Sequence, residues 1–512
     1  MRLKWGPHPS FTKHFRGSML RTVGSFFSLY LATLLLLLGT GLFNTYLGIR
    51  LTEANVSEIW IGSLIAVFYL GLVLGARTAH RLISGVGHIR AYVSAAAVVT
   101  VAVLLQSLVF NLWVWLGLRF LVGLAMVTQF IVLESWLNEQ TDNTQRGRVV
   151  AFYMVFSGLG TVLGQLALTL FPELDYKPLI FAGICSVLCL MPVALTRRVH
   201  PETPQPAPIR PMYYLRRAPM SLTVVLIGGV LTGAFYGLGP VFAYRHELSS
   251  DQVAMFVAVA VAAGLVAQWP MGYMADRINR AALIRMNALL LALFSVPMWG
   301  WLPLPYWGLL ALSAAFGILQ FTLYPLGAAF ANDNVEPERR VGLSAVLLMV
   351  YGLGAGIGPL VVGAIMRHVS ADTFFMFVAA CAAVLVAYVR PQRVTGDNLS
   401  QDAPTQFVPM TEIQTAPVIA SLDPRVDPES DVSHQSFEEN AGPQAPDIDP
   451  LATEVAVSAA AGAVAGAMAV SALAEAAGSM HAETKRDTSG TKPDLSTEKP
   501  DPSTTKPDPS TS

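Results

Sequence analysis

The chain has 512 residues, of which 53% are hydrophobic and only 13% charged. Soluble domains keep roughly a quarter of their residues charged, so this composition argues against a soluble globular enzyme and for a membrane protein. The net charge of -1 conceals an asymmetry: up to Gly396 there are 27 Lys and Arg against 15 Asp and Glu, and from Asp397 onward 6 against 19. A basic membrane portion precedes an acidic tail.

Residues 1–21 are polar and basic. No secretory signal is evident there, and the apolar segment that follows is too long for a cleaved core. Twelve apolar runs come next, at 22–48, 58–79, 91–109, 113–134, 149–171 and 178–195, then at 221–244, 253–275, 281–301, 306–331, 341–366 and 373–389. Most approach the ~20 residues that a helix needs to cross hydrocarbon. Lipid offers no partners for open backbone groups, so the runs are expected as helices. The longest internal polar segment begins at Arg197 and separates six runs from six.

One stretch occurs twice. Shifted by 194 positions, Arg119 to Gly164 lies without a gap over Ser313 to Gly358. Gly123 then meets Gly317, Thr128 meets Thr322, Asn138 meets Asn332, Glu139 meets Asp333 and Arg146 meets Arg340. Gly158, Gly160 and Gly164 meet Gly352, Gly354 and Gly358. Each copy reads as an apolar span, a charged hairpin and a second, glycine-laced span. Duplication in so hydrophobic a chain points to a repeated membrane fold.

The expected fold is an all-α integral membrane protein: twelve transmembrane helices as two pseudo-symmetric six-helix halves, followed by a disordered tail. The segments are a cytoplasmic N-terminus 1–21, a first half 22–196, a cytoplasmic linker 197–220, a second half 221–390 and a tail 391–512. One set of short loops carries 22 Lys and Arg and the other carries 4, which places both termini in the cytoplasm. The tail from Gln392 to Asp449 is acidic and proline-rich and cannot bury enough apolar surface to fold. Its end repeats Lys-Pro-Asp at Lys492, Lys499 and Lys506, a solvated low-complexity pattern. Val455 to Ala474 lacks charge, but alanine barely favours lipid. An alanine-rich helix, isolated or lying on a surface, is expected there rather than a thirteenth span.

Two six-helix halves with paired motifs resemble the major facilitator superfamily, over about residues 22–390. Its cytoplasmic signature G-x-x-x-D-R-x-G-R is matched after the eighth run by Gly272, Asp276, Arg277, Asn279 in the glycine place, and Arg280. After the second run it is degenerate: Gly75 is followed by Ala79 and His80 before Arg81, Gly87, His88 and Arg90. The words Gly87-His88-Ile89-Arg90 and Glu134-Ser135-Trp136-Leu137-Asn138 resemble the YcaD-like branch of bacterial facilitators. That resemblance implies a bacterial inner-membrane transporter.

Charged hairpins suggest a cytoplasmic gate built from Glu139, Arg146, Asp333, Arg340, Arg81, Asp276, Arg277 and Arg280. Glu139 and Arg146, and Asp333 and Arg340, stand seven apart in both copies, so ion pairs across the halves are one reading and solvated loops the other. Gly354, Gly358 and Pro359 resemble the antiporter motif G-x-x-x-G-P, though in the eleventh run. In the fifth run Gly160 and Gly164 are followed by Gln165, and close helix packing by small residues explains both.

Helix interruptions mark a transport path. Gly39 and Gly41 in the first run, Gly237, Gly239 and Pro240 in the seventh, and Pro325 in the tenth are the expected flexing points. In the fourth run Arg119, Gly123, Met126 and Phe130 fall on one helical face; the tenth carries Ser313, Gly317, Gln320 and Tyr324 there. An arginine inside a span costs roughly 2.5–3.5 kcal/mol on insertion scales, so Arg119 should face a wet or paired interior. Its partner is a loop carboxylate such as Glu53 or Glu58, or an anionic substrate, unless it snorkels to the rim. Glu134 closes the fourth run and is the carboxylate counted within a span, about 22 Å along the helix from Arg119. It is a candidate for proton coupling, or a rim residue paired with a cytoplasmic arginine. Asn44 and Tyr236 are further path candidates.

No nucleotide-binding loop, nucleophile–base pair or metal cluster is evident, so no enzyme activity, cofactor or metal is expected. Cys185, Cys189 and Cys381 lie inside apolar runs and read as small buried hydrophobes. The leading function is secondary transport of a small solute by a monomer in lipid, coupled to protons, with no nucleic-acid partner. The competing one is a transporter-shaped sensor that signals through the tail.

Overall fold

The computed structural model describes residues 9–141, 145–195 and 211–390 together with Ala403, Thr405, Phe407 and Val408, giving the backbone alone for 9–25, Arg77, Glu338 and Val341. The chain divides after Ser436. The 455–474 stretch and the Lys-Pro-Asp repeats lie outside the described residues.

All regular structure among the described residues is helical. The first half comprises α1 (Pro9–Glu53), α2 (Glu58–Val86), α3 (His88–Leu108), α4 (Leu112–Glu139), α5 (Arg146–Ala167), α6 (Lys177–Leu188) and α7 (Leu190–Ala194). A short α8 (Pro211–Arg217) lies in the expected linker. The second half comprises α9 (Pro219–Arg245), α10 (Ser250–Ala275), α11 (Arg280–Ser295), α12 (Tyr306–Gln320), α13 (Leu323–Asn332), α14 (Arg340–His368) and α15 (Thr373–Tyr388). Among the described residues, 11 segments are long and apolar enough to cross a membrane, with α6–α7 and α12–α13 each counting as one. The twelfth, α15, is a shorter apolar helix of 16 residues.

Local chemistry sets the helix ends. The Asn111 side chain accepts from the amides of Trp113 and Val114 to start α4. Ser249 and Gln252 form a reciprocal capping box on α10. Asn279 accepts from the Ala282 amide and caps α11, which accounts for its place where the signature has glycine. Gly87, at φ +84°, makes the turn from α2 to α3, a conformation that costs glycine little.

The 194-residue repeat is visible in the packing. A Cβ at Gly123 would strike the Phe68 carbonyl of α2, and one at Gly317 the Ala260 carbonyl of α10. Gly160 and Gly164 take the backbone of α1 at Leu34 and Leu38; Gly354 and Gly358 take that of α9 at Leu226 and Val230. In lipid no hydrophobic force drives helices together, so close approach at small residues carries the packing. The halves meet in the same duplicated way: Gly158 of α5 faces Leu265 of α10, and Gly352 of α14 faces Val73 of α2.

Two expectations need correction. The helices α1 and α9 run unbroken through Gly39, Gly41, Gly237, Gly239 and Pro240. Those glycines serve packing instead: Gly39 against Ala182 and Cys185, Gly41 against Thr161, and Gly237 against Ile65. The break falls at Phe321–Thr322, between α12 and α13. Pro325 lacks the N–H that would donate to the Phe321 carbonyl one turn back, and its ring crowds that group. The second correction concerns the tail, which does not leave the membrane portion cleanly at 391. Thr405, Phe407 and Val408 are buried, with 6%, 7% and 5% of their surface exposed.

Candidate functional site

Arg119 sits in the second turn of α4, fully buried, with no snorkelling to the rim. Its Nη2 donates to Asn44 Oδ1 of α1 at 2.9 Å. The guanidinium lies 4.8 Å from the ring centre of Phe43 and 4.9 Å from that of Phe68, within the range of cation–π attraction. The contact of Gly123 with the Phe68 carbonyl is what lets α2 approach closely enough. Nε and Nη1 have no hydrogen-bond partner among the described residues. The loop carboxylates are committed elsewhere: Glu53 to Arg50 at 2.9 Å, Glu58 to Arg245 at 2.8 Å. One turn along the same seam, Thr40 Oγ1 lies 3.8 Å from the sulfur of Met126, and Phe130 is buried beyond it.

The tenth span builds a separate cluster. Gln320 donates its amide to the Gly228 carbonyl at 3.1 Å and to Thr232 Oγ1 at 2.7 Å on α9. Its Oε1 has no partner among the described residues. Tyr324 stacks edge-on with Tyr351 at 5.0 Å, and Tyr236 meets Phe321 at 5.8 Å beside the helix break. The sequence had placed Arg119, Met126 and Phe130 on one face and Gln320 and Tyr324 on its copy; each set turns toward the first helix or the glycine-rich helix of its own half.

Glu134 is fully buried near the far end of α4, where Tyr153 of α5 donates its hydroxyl to Oε1 at 3.1 Å. A third buried polar pair joins Thr45 of α1 to Gln165 of α5. Sequence reasoning passed over Phe43, Phe68, Thr45 and Thr232, and noted Gln165 only as the residue after Gly164. Their neighbours Asn44 and Gly164 had been noted, but aromatic and hydroxyl residues in an apolar run carry no signal of their own.

The ion pairs of the second half's charged hairpins lie within that half rather than across the two. Asp333 meets Arg280 at 2.6 Å, not Arg340, and Arg280 also reaches Asp276 at 3.3 Å. The turn Asn334–Arg339, with its 3₁₀ stretch at Pro337–Arg339, carries Arg340 away to the start of α14, where it is buried. Arg280 Nη1 instead donates to the Ala329 carbonyl at 3.1 Å and binds α11 to α13. In the first half, Glu139 and Arg146 make no ion pair among the described residues. Glu139 and Arg81 are exposed, and Arg277 stacks on Tyr273 at 3.5 Å.

Against known families, the model described as Major Facilitator Superfamily matches residues 29–319 and, in a second overlapping match, 247–422. The chain belongs to the major facilitator superfamily. Its similarity within the superfamily includes an uncharacterized MFS-type transporter of Yersinia pestis (strain Pestoides F), 29% identical over 69% of this chain and 91% of that protein. The MFS-type transporter YcaD of Escherichia fergusonii is 28% identical over 72% of this chain and 96% of that protein. Among solved facilitators, the nucleoside transporter NupG superposes with a TM-score of 0.63 over 72% of this chain and 98% of its own, at 13% identity. A bacterial homolog of the human lysosomal transporter Spinster gives 0.54 over 82% of this chain and 98% of its own, at 15% identity. The solved structures establish the facilitator fold, and the family match makes the chain a multi-pass membrane transporter rather than an enzyme.

Proposed function

We propose that the protein is a secondary active transporter of the bacterial inner membrane that moves a small anionic solute by alternating access. The observation that carries this reading is Arg119: a fully buried guanidinium that makes no ion pair among the described residues. A buried cation is costly until a counter-charge arrives. Asn44 and the two phenyl rings hold the guanidinium in place, while Nε or Nη1, together with the second hydrogen of Nη2, remains to donate to two oxygens of a carboxylate or phosphate in the planar fork that arginine presents. Gln320 Oε1 is the acceptor we assign to the hydroxyl or amide of the same solute. We assign both termini to the cytoplasm together with the segments bearing Arg81, Arg146, Arg277 and Arg340, on the excess of Lys and Arg in that set of short loops.

Glu134 is the carboxylate we assign to proton coupling, with Tyr153 as its hydrogen-bond donor. Glu134→Gln should then abolish solute movement driven by a proton gradient while sparing exchange of solute across the membrane.

The central test is a thermal-shift screen of purified protein against carboxylates, phosphates and neutral solutes, followed by flux in proteoliposomes. Anions should raise the melting temperature of the wild type and leave Arg119→Met unmoved, with that variant's own melting near wild type. Arg119→Lys should recover little, because lysine lacks the fork. Equal stabilisation of Arg119→Met by the same anion would overturn the assignment.

A further inference from the structure

The charged cluster after the eighth span holds a segment of the tail. Asp333 Oδ1 accepts from the Thr405 amide at 2.8 Å and from its hydroxyl at 2.9 Å. Arg280 Nη1 donates to Thr405 Oγ1 at 3.1 Å, and Nη2 donates to the Thr405 carbonyl. Asp276 Oδ1 accepts from the Phe407 amide at 3.0 Å. The Phe407 ring lies over Gly272, where a Cβ would come within 2.5 Å of its Cδ1. Three residues of the signature, Gly272, Asp276 and Arg280, therefore form a seat for the tail: the glycine a floor for the ring, the carboxylate and guanidinium a pair of clips for the backbone.

Backbone contacts of this kind are out of proportion to an acidic, proline-rich segment drifting in water. Ordering a residue costs about 1–2 kcal/mol in backbone entropy, so a segment stays down only where charged hydrogen bonds and apolar burial offset it. Thr405 and Phe407 have both. While they are seated, Asp276 and Arg280 are occupied, and Arg280 holds Asp333 within the second half. The exposed Glu139 and Arg81 of the first half would find Arg280 and Asp333 already engaged if the halves closed with the tail seated.

We infer that Thr405 and Phe407 form a detachable strap that competes with the first half for the Asp276–Arg280–Asp333 cluster, and so restrains closure of the arginine-rich end. The seating of the strap stands on its own; its effect on closure rests on the alternating-access reading above.

The test uses the full chain in lipid nanodiscs, with two readouts. Hydrogen exchange at the Thr405 and Phe407 amides reports seating, and spin labels at the exposed positions Ser84 and Ile278 report the distance between the halves. Wild type should show protected amides and a distance distribution weighted to the long side. Phe407→Asp, which alters only the tail, should lose that protection and shift the distribution to shorter distances. Gly272→Leu, which fills the seat from below, should do the same. Amides in the wild type that exchange as fast as unstructured peptide would overturn the strap. Lost protection with an unmoved distribution would overturn its role in closure. A distribution that moves on release in a protein without solute flux would sustain the strap and count against transport, so the two failures are separable.

Discussion

Arg245 Nη2 of α9 lies 2.8 Å from Glu58 Oε1 of α2, and this ion pair ties the second half to the first at the end opposite the arginine-rich loops. The backbones close in beside it: a Cβ at Gly62 would meet the Pro359 carbonyl, and one at Gly363 the Glu58 carbonyl. The pair thus closes a face that is already tightly packed. Glu58→Gln should loosen this face and raise the reactivity of a cysteine placed at the buried Ser63 toward an impermeant thiol reagent. With Arg245 well exposed, the loss in stability should be only about 1 kcal/mol. The charge-reversed double variant Glu58→Arg with Arg245→Glu should return reactivity to the wild-type level; a double variant as reactive as the single one would show that the pair is not the tie.

Asn44 fixes the direction of the Arg119 guanidinium. Asn44→Leu should weaken anion binding about tenfold, equivalent to 1.4 kcal/mol, without changing which solutes bind. Calorimetric titration of the anion found in the screen would measure it, and an unchanged affinity would remove Asn44 from the site.

The glycines of the two copies should be interchangeable in their cost. Gly123→Ala and Gly317→Ala each force a methyl into a neighbouring carbonyl, and overpacking of this kind costs about 1–3 kcal/mol. Both variants should melt earlier in detergent by similar amounts. A large effect at one position and none at the other would show that the two halves tolerate separation differently.

The linker helix α8 is held by a carboxylate with a stated pH window. Glu336 accepts from the Tyr213 hydroxyl at 3.0 Å and pairs with Arg217 at 2.9 Å. Burial alone would raise its carboxyl, but backbone and Tyr213 hydrogen bonds with the Arg217 and Arg339 charges hold it below the ordinary 4.5. A depressed carboxylate contributes fully above its unfolded value and loses that contribution as pH falls through the lower folded one. The α8 amides should therefore be protected from exchange at pH 6 and lose protection below about 4.5. In Glu336→Gln the protection should be weaker and flat across that range.

The duplication and the span count were legible because both depend on periodic apolar content, which lipid enforces residue by residue. The glycines at Gly160, Gly164, Gly354 and Gly358 were legible as packing points for the same reason. The partners of Arg119 were not. Phe43 and Phe68 reach it from α1 and α2 through helix tilts that no single run encodes. Ion pairs of Asp333 were expected across the halves, whereas Arg280 meets it from another hairpin of the same half. Thr405 and Phe407 were hidden by their surroundings: an acidic, proline-rich composition gives no hint that two residues find a seat on charged groups more than a hundred positions earlier.

The fourth and tenth spans descend from one repeated segment, yet α4 is continuous from Leu112 to Glu139 and its copy is jointed at Phe321–Thr322. A straight rod carries a displacement undiminished from one end to the other. Any tilt imposed at Arg119 must therefore reappear at Glu134 and Glu139, so the two buried charged residues and the loop are geared together on one piece. A jointed rod divides the same displacement. In the copy, Ser313 and Gln320 ride on one piece while Tyr324 and Asp333 ride on another, so the Gln320 end can settle before the charged end follows.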